Sequence, residues 1–359
     1  MDPTAKIDLR IRAMTTSLGR LEDLPQDYRA ALGEAMVGPL WPQMRNALPH
    51  HAPVPVTTTR LWTYAQIRPL LLEAGKLTPV EKAERRVLFL ADPARGPSSM
   101  QVTSTLYLGM QLLLPGEKAP AHKHTPSAAR IIVEGQGAYT IVDGEKLPMQ
   151  EGDIILTPGG CWHDHGHEGQ EPVIWLDALD LPLFITLDGS YAVEAELQAP
   201  RNRPDSSQVE YRAAGLVPPR RRDQPAPKFP QMRYPWERTE GALRHLALHN
   251  GQEAVELDFV NPETGESCLP VMGFTAMMLR PGQTLRPPLR SSSAAFHVVR
   301  GSGTASINGQ SHHWTTKDTF SAPTFARIEL HNPGTEPAFL IRIHDTPLQE
   351  KLGYYEERA

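Results

Sequence analysis

His122 and His124 stand two residues apart shortly after Pro115-Gly116, and a third histidine, His163, follows the run Pro158-Gly159-Gly160-Cys161-Trp162. Side chains alternate along a β-strand, so histidines at i and i+2 share a face and both imidazoles can reach one ion. His163 returns to the same place from a later strand. Imidazole nitrogens suit zinc, copper, iron and nickel, and three neutral protein ligands leave coordination positions open for a substrate. The spaced trio points to a catalytic metal site, whereas any one of the 14 histidines taken alone would read as a surface or core residue.

Such a site needs strands joined by tight turns to hold it. With 27 glycines and 35 prolines in 359 residues, the composition favours short strands over a helical protein. The length allows two domains and a substantial core. A formal charge of -5 argues against a nucleic-acid binder driven by phosphate contacts. Cys161 and Cys268 are the two cysteines, so no disulfide framework is expected and a reducing cytoplasm is the expected compartment. The start, Met1-Asp2-Pro3-Thr4-Ala5-Lys6, lacks a basic segment leading into an apolar run, and no uninterrupted apolar stretch is long enough to span a membrane.

Residues 1–86 read as a helical segment: Asp27 to Met36 and Leu61 to Glu73 carry apolar spacing near a 3.6 period. Thr78-Pro79-Val80-Glu81 reads as a helix start, with Thr78 as N-cap and Pro79 in the first turn. From Val87 the pattern turns to short strands, expected at Val87 to Ala91, Met110 to Leu114, Ala129 to Val133, Ala138 to Val142, Asp153 to Thr157 and Val173 to Leu176. An internal repeat then appears. Pro115-Gly116 recurs as Pro281-Gly282 and Gly135-Gln136-Gly137 as Gly301-Ser302-Gly303, an offset of 166; Asp143-Gly144 recurs as Asn308-Gly309 and Pro158 as Pro323, an offset of 165. Asp-Gly and Asn-Gly both signal type I′ hairpins, so the halves turn at the same place for the same backbone reason. In this alignment His122, His124 and His163 fall on Pro288, Arg290 and Ile328, and the second copy has no metal ligands. The expected organisation is a metal-binding barrel over 87–197, a Pro- and Arg-rich linker or lid over 198–236, and a metal-free barrel over 237–359.

Gly116-x5-His122-x-His124 followed by Gly135, and Gly152-x5-Pro158-x-Gly160-x2-His163, resemble the two cupin motifs. Many cupins carry a Glu four residues after the His pair; here that position is Ala128, so the metal set is three histidines. The surrounding text, from His122-Lys123-His124-Thr125-Pro126 through Glu134-Gly135-Gln136-Gly137 and Trp162-His163-Asp164-His165-Gly166 to Trp175-Leu176-Asp177, is similar to the gentisate 1,2-dioxygenase family, with its salicylate, 5-nitrosalicylate and 1-hydroxy-2-naphthoate relatives. The resemblance implies an all-β bicupin, two double-stranded β-helix barrels behind N-terminal helices, and one Fe(II) in the first barrel. It implies cleavage of the C1–C2 ring bond of a 2-hydroxybenzoate, gentisate or a 5-substituted salicylate, with O2. It also implies a homotetramer, and it places Arg86, Gln111, Arg130, His165 and Asp177 around the substrate. Tyr107 departs from the Trp usual in the family's Leu-Trp-x-Gly stretch and bears on pocket shape.

The residues themselves support parts of this assignment. Arg130 follows the His pair by six residues, an even number, so a continuous strand would aim it at the same interior face, where a guanidinium would pair with a substrate carboxylate; the competing partner is Glu134. His165 has the chemistry to accept a phenolic proton. Asp177 is expected to orient His165 or another imidazole. Gln111 could bond a ring substituent, or else face outward. Two other classes stay open on sequence alone: a three-His zinc hydrolase and a non-catalytic ligand-binding cupin.

Overall fold

The computed structural model describes residues 19–195, 198–200, 205–213, 215–219, 228–251 and 254–359. It divides into two compact units at Pro55/Val56. The smaller holds a 3-10 turn, Leu21–Asp23, and helices Gln26–Glu34 and Met44–Ala47, none of which buries a residue.

The larger unit is a tandem of two antiparallel barrels. β1 (Leu61–Trp62) and the helix Tyr64–Leu77 lead into β2 (Arg86–Phe89), β3 (Tyr107–Leu113), β4 (Lys118–His124), β5 (Ala128–Glu134), β6 (Ala138–Val142), β7 (Glu145–Pro148), β8 (Ile154–Thr157), β9 (His163–His167), β10 (Val173–Leu179) and β11 (Ala192–Ala195). The second half runs β12 (Arg233–Tyr234), the helix Trp236–Ala247, β13 (Val255–Asp258), β14 (Gly273–Leu279), β15 (Thr284–Leu285), β16 (Leu289–Arg290), β17 (Ala294–Arg300), β18 (Ser302–Ile307), β19 (Gln310–Thr315), β20 (Thr319–Ala322), β21 (Ile328–His331), β22 (Ala338–His344) and β23 (Glu357–Arg358). The first barrel closes sheet β12-β8-β5-β10-β3-β2 over sheet β11-β4-β9-β6-β7; its twin does the same with β1-β20-β17-β22-β14-β13 and β15-β21-β18-β19.

The repeat holds at the level of single residues. Asp143-Gly144 and Asn308-Gly309 all have positive φ, as a type I′ turn requires. Each barrel also skips one residue at the same point of its ladder, Val133 between the partners of Ile174 and Trp175, and Val299 between those of Leu340 and Phe339.

The halves exchange their leading strands. β1 joins the second barrel at β20, and β12 joins the first at β8. The following helices are capped crosswise: Tyr64 N donates to Asp318 Oδ1 and Trp236 N to Asp153 Oδ1, each at 2.8 Å. A carboxylate at a helix N-terminus satisfies an orphan N–H and meets the positive end of the dipole. One core cluster spans both barrels, with Leu108, Met110, Ile131 and Leu176 from the first, Phe274, Ala276 and Ile341 from the second, and Leu71 and Leu243 from the two helices. The period-2 alternation of β3 therefore turns Leu108, Met110 and Leu112 outward to this cluster and leaves Tyr107, Gly109 and Gln111 facing the barrel interior.

Some boundaries differ from the sequence expectation. Leu61 and Trp62 are strand, because they pair with β20 across the repeat, a partner that local spacing cannot reveal. The turn expected at Thr78 begins one residue later: Pro79 is the N-cap of Val80–Ala83, and no side chain caps it. Of the stretch 198–236, Gln198 bonds Asp164 and Ile141, Ser207 bonds Glu145, and Arg233 pairs with Asp153 at 2.7 Å and Asp205 at 2.6 Å, while Tyr211 bonds Glu263 and Tyr234 bonds Val260 O, each at 2.8 Å, so its described parts touch both halves. Arg201, Arg203 and Arg220, Arg221 and Arg222 lie outside the described residues.

Candidate metal centre

β4 and β9 are neighbours, and His122 stands directly opposite His163 across them. With His124 two residues on, the three rings converge at centroid separations of 4.1, 4.8 and 5.2 Å, and one nitrogen of each lies within 4.8 Å of the others. His124 Nδ1 meets Pro126 O at 2.7 Å and His163 Nδ1 meets Cys161 O at 3.0 Å. A backbone carbonyl on Nδ1 fixes the tautomer that leaves Nε2 free as a ligand, and His163 Nε2 is indeed buried without a partner. Burial, with nearby Arg85 and Arg130, pushes His122 down to about 2, and His124 and His163 are lowered chiefly by burial, so all three are neutral, as metal binding needs. The donor set fits a single divalent ion.

Ser127 ties the two ligand-bearing loops together. Its N–H donates to Asp180 Oδ1 at 2.7 Å, and its Oγ accepts from Gly159 N at 3.2 Å, while Gly160 N donates to His124 O at 2.8 Å. The second barrel repeats half of this arrangement, with Ser293 N on Asp345 Oδ1 at 2.8 Å.

Arg130 lies in the barrel interior, 3% exposed; its Nε is 3.3 Å from Asp177 Oδ1, and Nη1 contacts Thr157 Oγ1. Glu134, the competing partner, is instead held by Arg68 at 2.7 Å and the Tyr64 hydroxyl at 2.8 Å, since the skipped residue in β5 separates it from the interior face. Asp177 serves Arg130 and the Trp175 indole, 3.0 Å from Oδ2, and makes no bond to an imidazole, because it stands opposite Arg130 on the adjacent strand. His165 is instead set by Thr140, whose Oγ1 is 2.9 Å from Nδ1. His165 Nε2 is buried and unpartnered, burial holds the ring neutral, and its centroid is 6.0 Å from His163. Gln111 lies opposite Trp175 and is buried inside.

Arg85, just before β2, and Arg86, its first residue, part company. Arg86 is directed away from the histidines, bonding Gly75 O at 3.3 Å and ion-pairing with Glu117. Arg85 reaches the site: it donates to Pro120 O at 2.6 Å and lies against His122 Nδ1. The backbone turns through φ +52° at Glu84, and this turn, invisible in the sequence, sends Arg85 inward. Tyr107 crosses Gly109: a Cβ there would lie 2.7 Å from the Tyr107 hydroxyl and 2.5 Å from Val87. Arg85, Gly109, Thr140, Ser127 and Asp180 are absent from the sequence-derived site. Gly109 ends the Leu106-Tyr107-Leu108-Gly109 stretch and Arg85 adjoins the Arg86 expected at the site; Thr140, Ser127 and Asp180 carry no local signal.

A neutral three-His ion site beside two arginines, one buried and one half-buried, inside a small antiparallel barrel, defines a mononuclear cupin enzyme. The cupin domain family model matches residues 109–179, the first barrel alone. A gentisate 1,2-dioxygenase of Ralstonia sp is 48% identical over 96% of this chain and 98% of its own length, and a 5-aminosalicylate 1,2-dioxygenase of Comamonas sp is 35% identical over 83% and 81%. The salicylate 1,2-dioxygenase of Pseudoaminobacter salicylatoxidans, solved with gentisate, superposes with a TM-score of 0.86 at 28% identity over 94% of both chains. A Trp-to-Tyr variant of it with gentisate gives 0.88 at 27% identity, over 96% and 98%. The chain belongs to the gentisate 1,2-dioxygenase family of ring-cleaving dioxygenases.

Proposed function

We propose that the chain opens the C1–C2 bond of gentisate, using Fe(II) held by His122, His124 and His163. The observation that carries this reading is the pair of guanidinium groups, Arg85 and Arg130, beside three neutral imidazoles. Ferrous iron supplies, when bound, positions at which an anionic bidentate ligand and O2 meet.

The protein's own contribution is charge and orientation. Arg130, aimed by Asp177, binds the substrate carboxylate, and Arg85 adds a second positive charge at the mouth. The buried Arg130 guanidinium, poorly solvated where it lies, favours an anionic partner, and the half-buried Arg85 adds to that preference. His165 Nε2 accepts the phenolic proton, with Thr140 holding the ring from behind. Tyr107 and Gln111 face the ring substituents, and gentisate is the first choice because the gentisate 1,2-dioxygenase of Ralstonia sp is 48% identical over 96% of this chain.

The reaction belongs to the first barrel, 87–197, with 237–359 as its metal-free twin. No helix among the described residues is long and apolar enough to cross a membrane, and both cysteines are free thiols; we place the protein in the cytoplasm, as a homotetramer on family resemblance. An oxygen-electrode screen of the iron-loaded protein against gentisate, salicylate, 5-nitrosalicylate and 1-hydroxy-2-naphthoate tests the reading. Gentisate is expected to give the highest kcat/KM, and absence of O2 uptake with all four would overturn it.

A further inference from the structure

The second barrel keeps the frame of the first but has no histidine at the ligand positions, and two arginines, Arg290 and Arg342, stand among the equivalent places. Pro288, Arg290 and Ile328 stand at the three histidine positions, Phe296 takes the place of Arg130, and Arg342 that of Asp177. Arg342 is only 9% exposed. Its Nη2 donates to Thr275 Oγ1 at 3.0 Å, while Nε is buried with no acceptor. Among the described residues no carboxylate lies within 4.0 Å of it. Asp258 accepts instead from Thr275 Oγ1 at 2.6 Å, and Glu357 is engaged by Arg290 Nε at 2.9 Å and the Tyr355 hydroxyl at 2.6 Å.

A guanidinium keeps its charge inside proteins, and a buried charge without a counter-ion is strongly unfavourable. Beside Arg342 is a nook of about 20 Å³ whose polar lining is Arg290, Ser292 and Arg342 itself, the rest of its wall, Pro288, Phe296 and Ile328 included, being apolar. That is room for one particle the size of a water molecule. Pro288 and Ile328 also line an outer basin of about 630 Å³, so these two side chains stand between the nook and that basin.

We propose that the second barrel holds one small monovalent anion, of the size of chloride, in the nook formed by Arg342, Arg290 and Ser292, so that the repeat binds ions of opposite sign at equivalent places. The inference is independent of the reaction assigned to the first barrel. The competing account is a guanidinium balanced at a distance through Thr275 and Asp258, with no ion.

Crystals of the full chain soaked in bromide decide between them. An anomalous peak within hydrogen-bond distance of the Arg342 guanidinium, lost in Arg342→Met while the first barrel keeps its metal, is the expected result. In solution, chloride replacing gluconate at constant ionic strength is expected to raise the Tm of the wild-type chain by about 2 °C and to leave that of the variant unchanged. A nook free of bromide in the wild-type chain overturns the proposal, as does a chloride effect of equal size in the variant. If Arg342→Met does not fold, the wild-type bromide map is decisive by itself.

Discussion

Asp177 on β10 grips Arg130 on β5, Oδ1 to Nε at 3.3 Å, while its other oxygen takes the Trp175 indole N–H at 3.0 Å. Both side chains are buried, and burial raises Asp177 to about 6 against the opposing pull of Arg130. The carboxylate is therefore a positioning group for a cation. Asp177→Asn should raise KM for gentisate at least about tenfold, with a smaller fall in kcat and full iron content. The uncompensated guanidinium should also lower stability by about 3–5 kcal/mol. A KM equal to that of the wild-type enzyme would remove the role.

Arg85 and Arg86 should separate cleanly. Arg85→Met is expected to raise KM about tenfold or more while Tm stays within a degree or two of wild type. Arg86→Met breaks its buried pair with Glu117 and should lower Tm with KM unchanged. The reverse pattern would mean that Arg86, not Arg85, serves the substrate.

Thr140→Val deletes the hydroxyl that holds His165 Nδ1 and fills nearly the same volume. Losing one buried hydrogen bond costs about 1–2 kcal/mol. If His165 handles the phenolic proton, kcat should fall about tenfold and its pH profile should shift, with iron content intact. A variant with normal kcat would leave Thr140 as packing only.

Asp180 is pushed up to about 7 by burial, with the Ser127 N–H pulling the other way. Because the folded chain holds this proton more tightly than the unfolded chain, the group's contribution is complete below about pH 4 and is lost as pH rises through about 7. Asp180→Asn should therefore lose less stability than wild type between those limits in a pH series of thermal melts. Parallel curves would show that Asp180 does not titrate there.

One metal per chain is expected by elemental analysis, since the second barrel offers Pro288, Arg290 and Ile328 at the ligand positions. His163→Ala should lose that metal and all turnover together. The ligands are held neutral by burial, so wild-type metal content should stay constant between about pH 8 and pH 5, where free imidazole would titrate. A second equivalent of bound metal would contradict the assignment of an empty twin.

The sequence by itself pointed to the convergence of three histidines, the duplication, the lack of matching histidines in the second copy and the inward face of Arg130, because each depends on short-range periodicity or turn chemistry. His122 and His124 share a face whatever surrounds them, and Asp143-Gly144 and Asn308-Gly309 dictate their turns locally. Only the tertiary structure decided that Arg85 and not Arg86 reaches the histidines, that Asp177 serves Arg130 and Thr140 serves His165, and that β1 and β12 cross between barrels. Those outcomes turn on a single positive φ at Glu84 and on which strands lie side by side. Contacts between residues far apart in the chain are set by packing of whole sheets, and no local pattern of residues encodes which partner a side chain will meet.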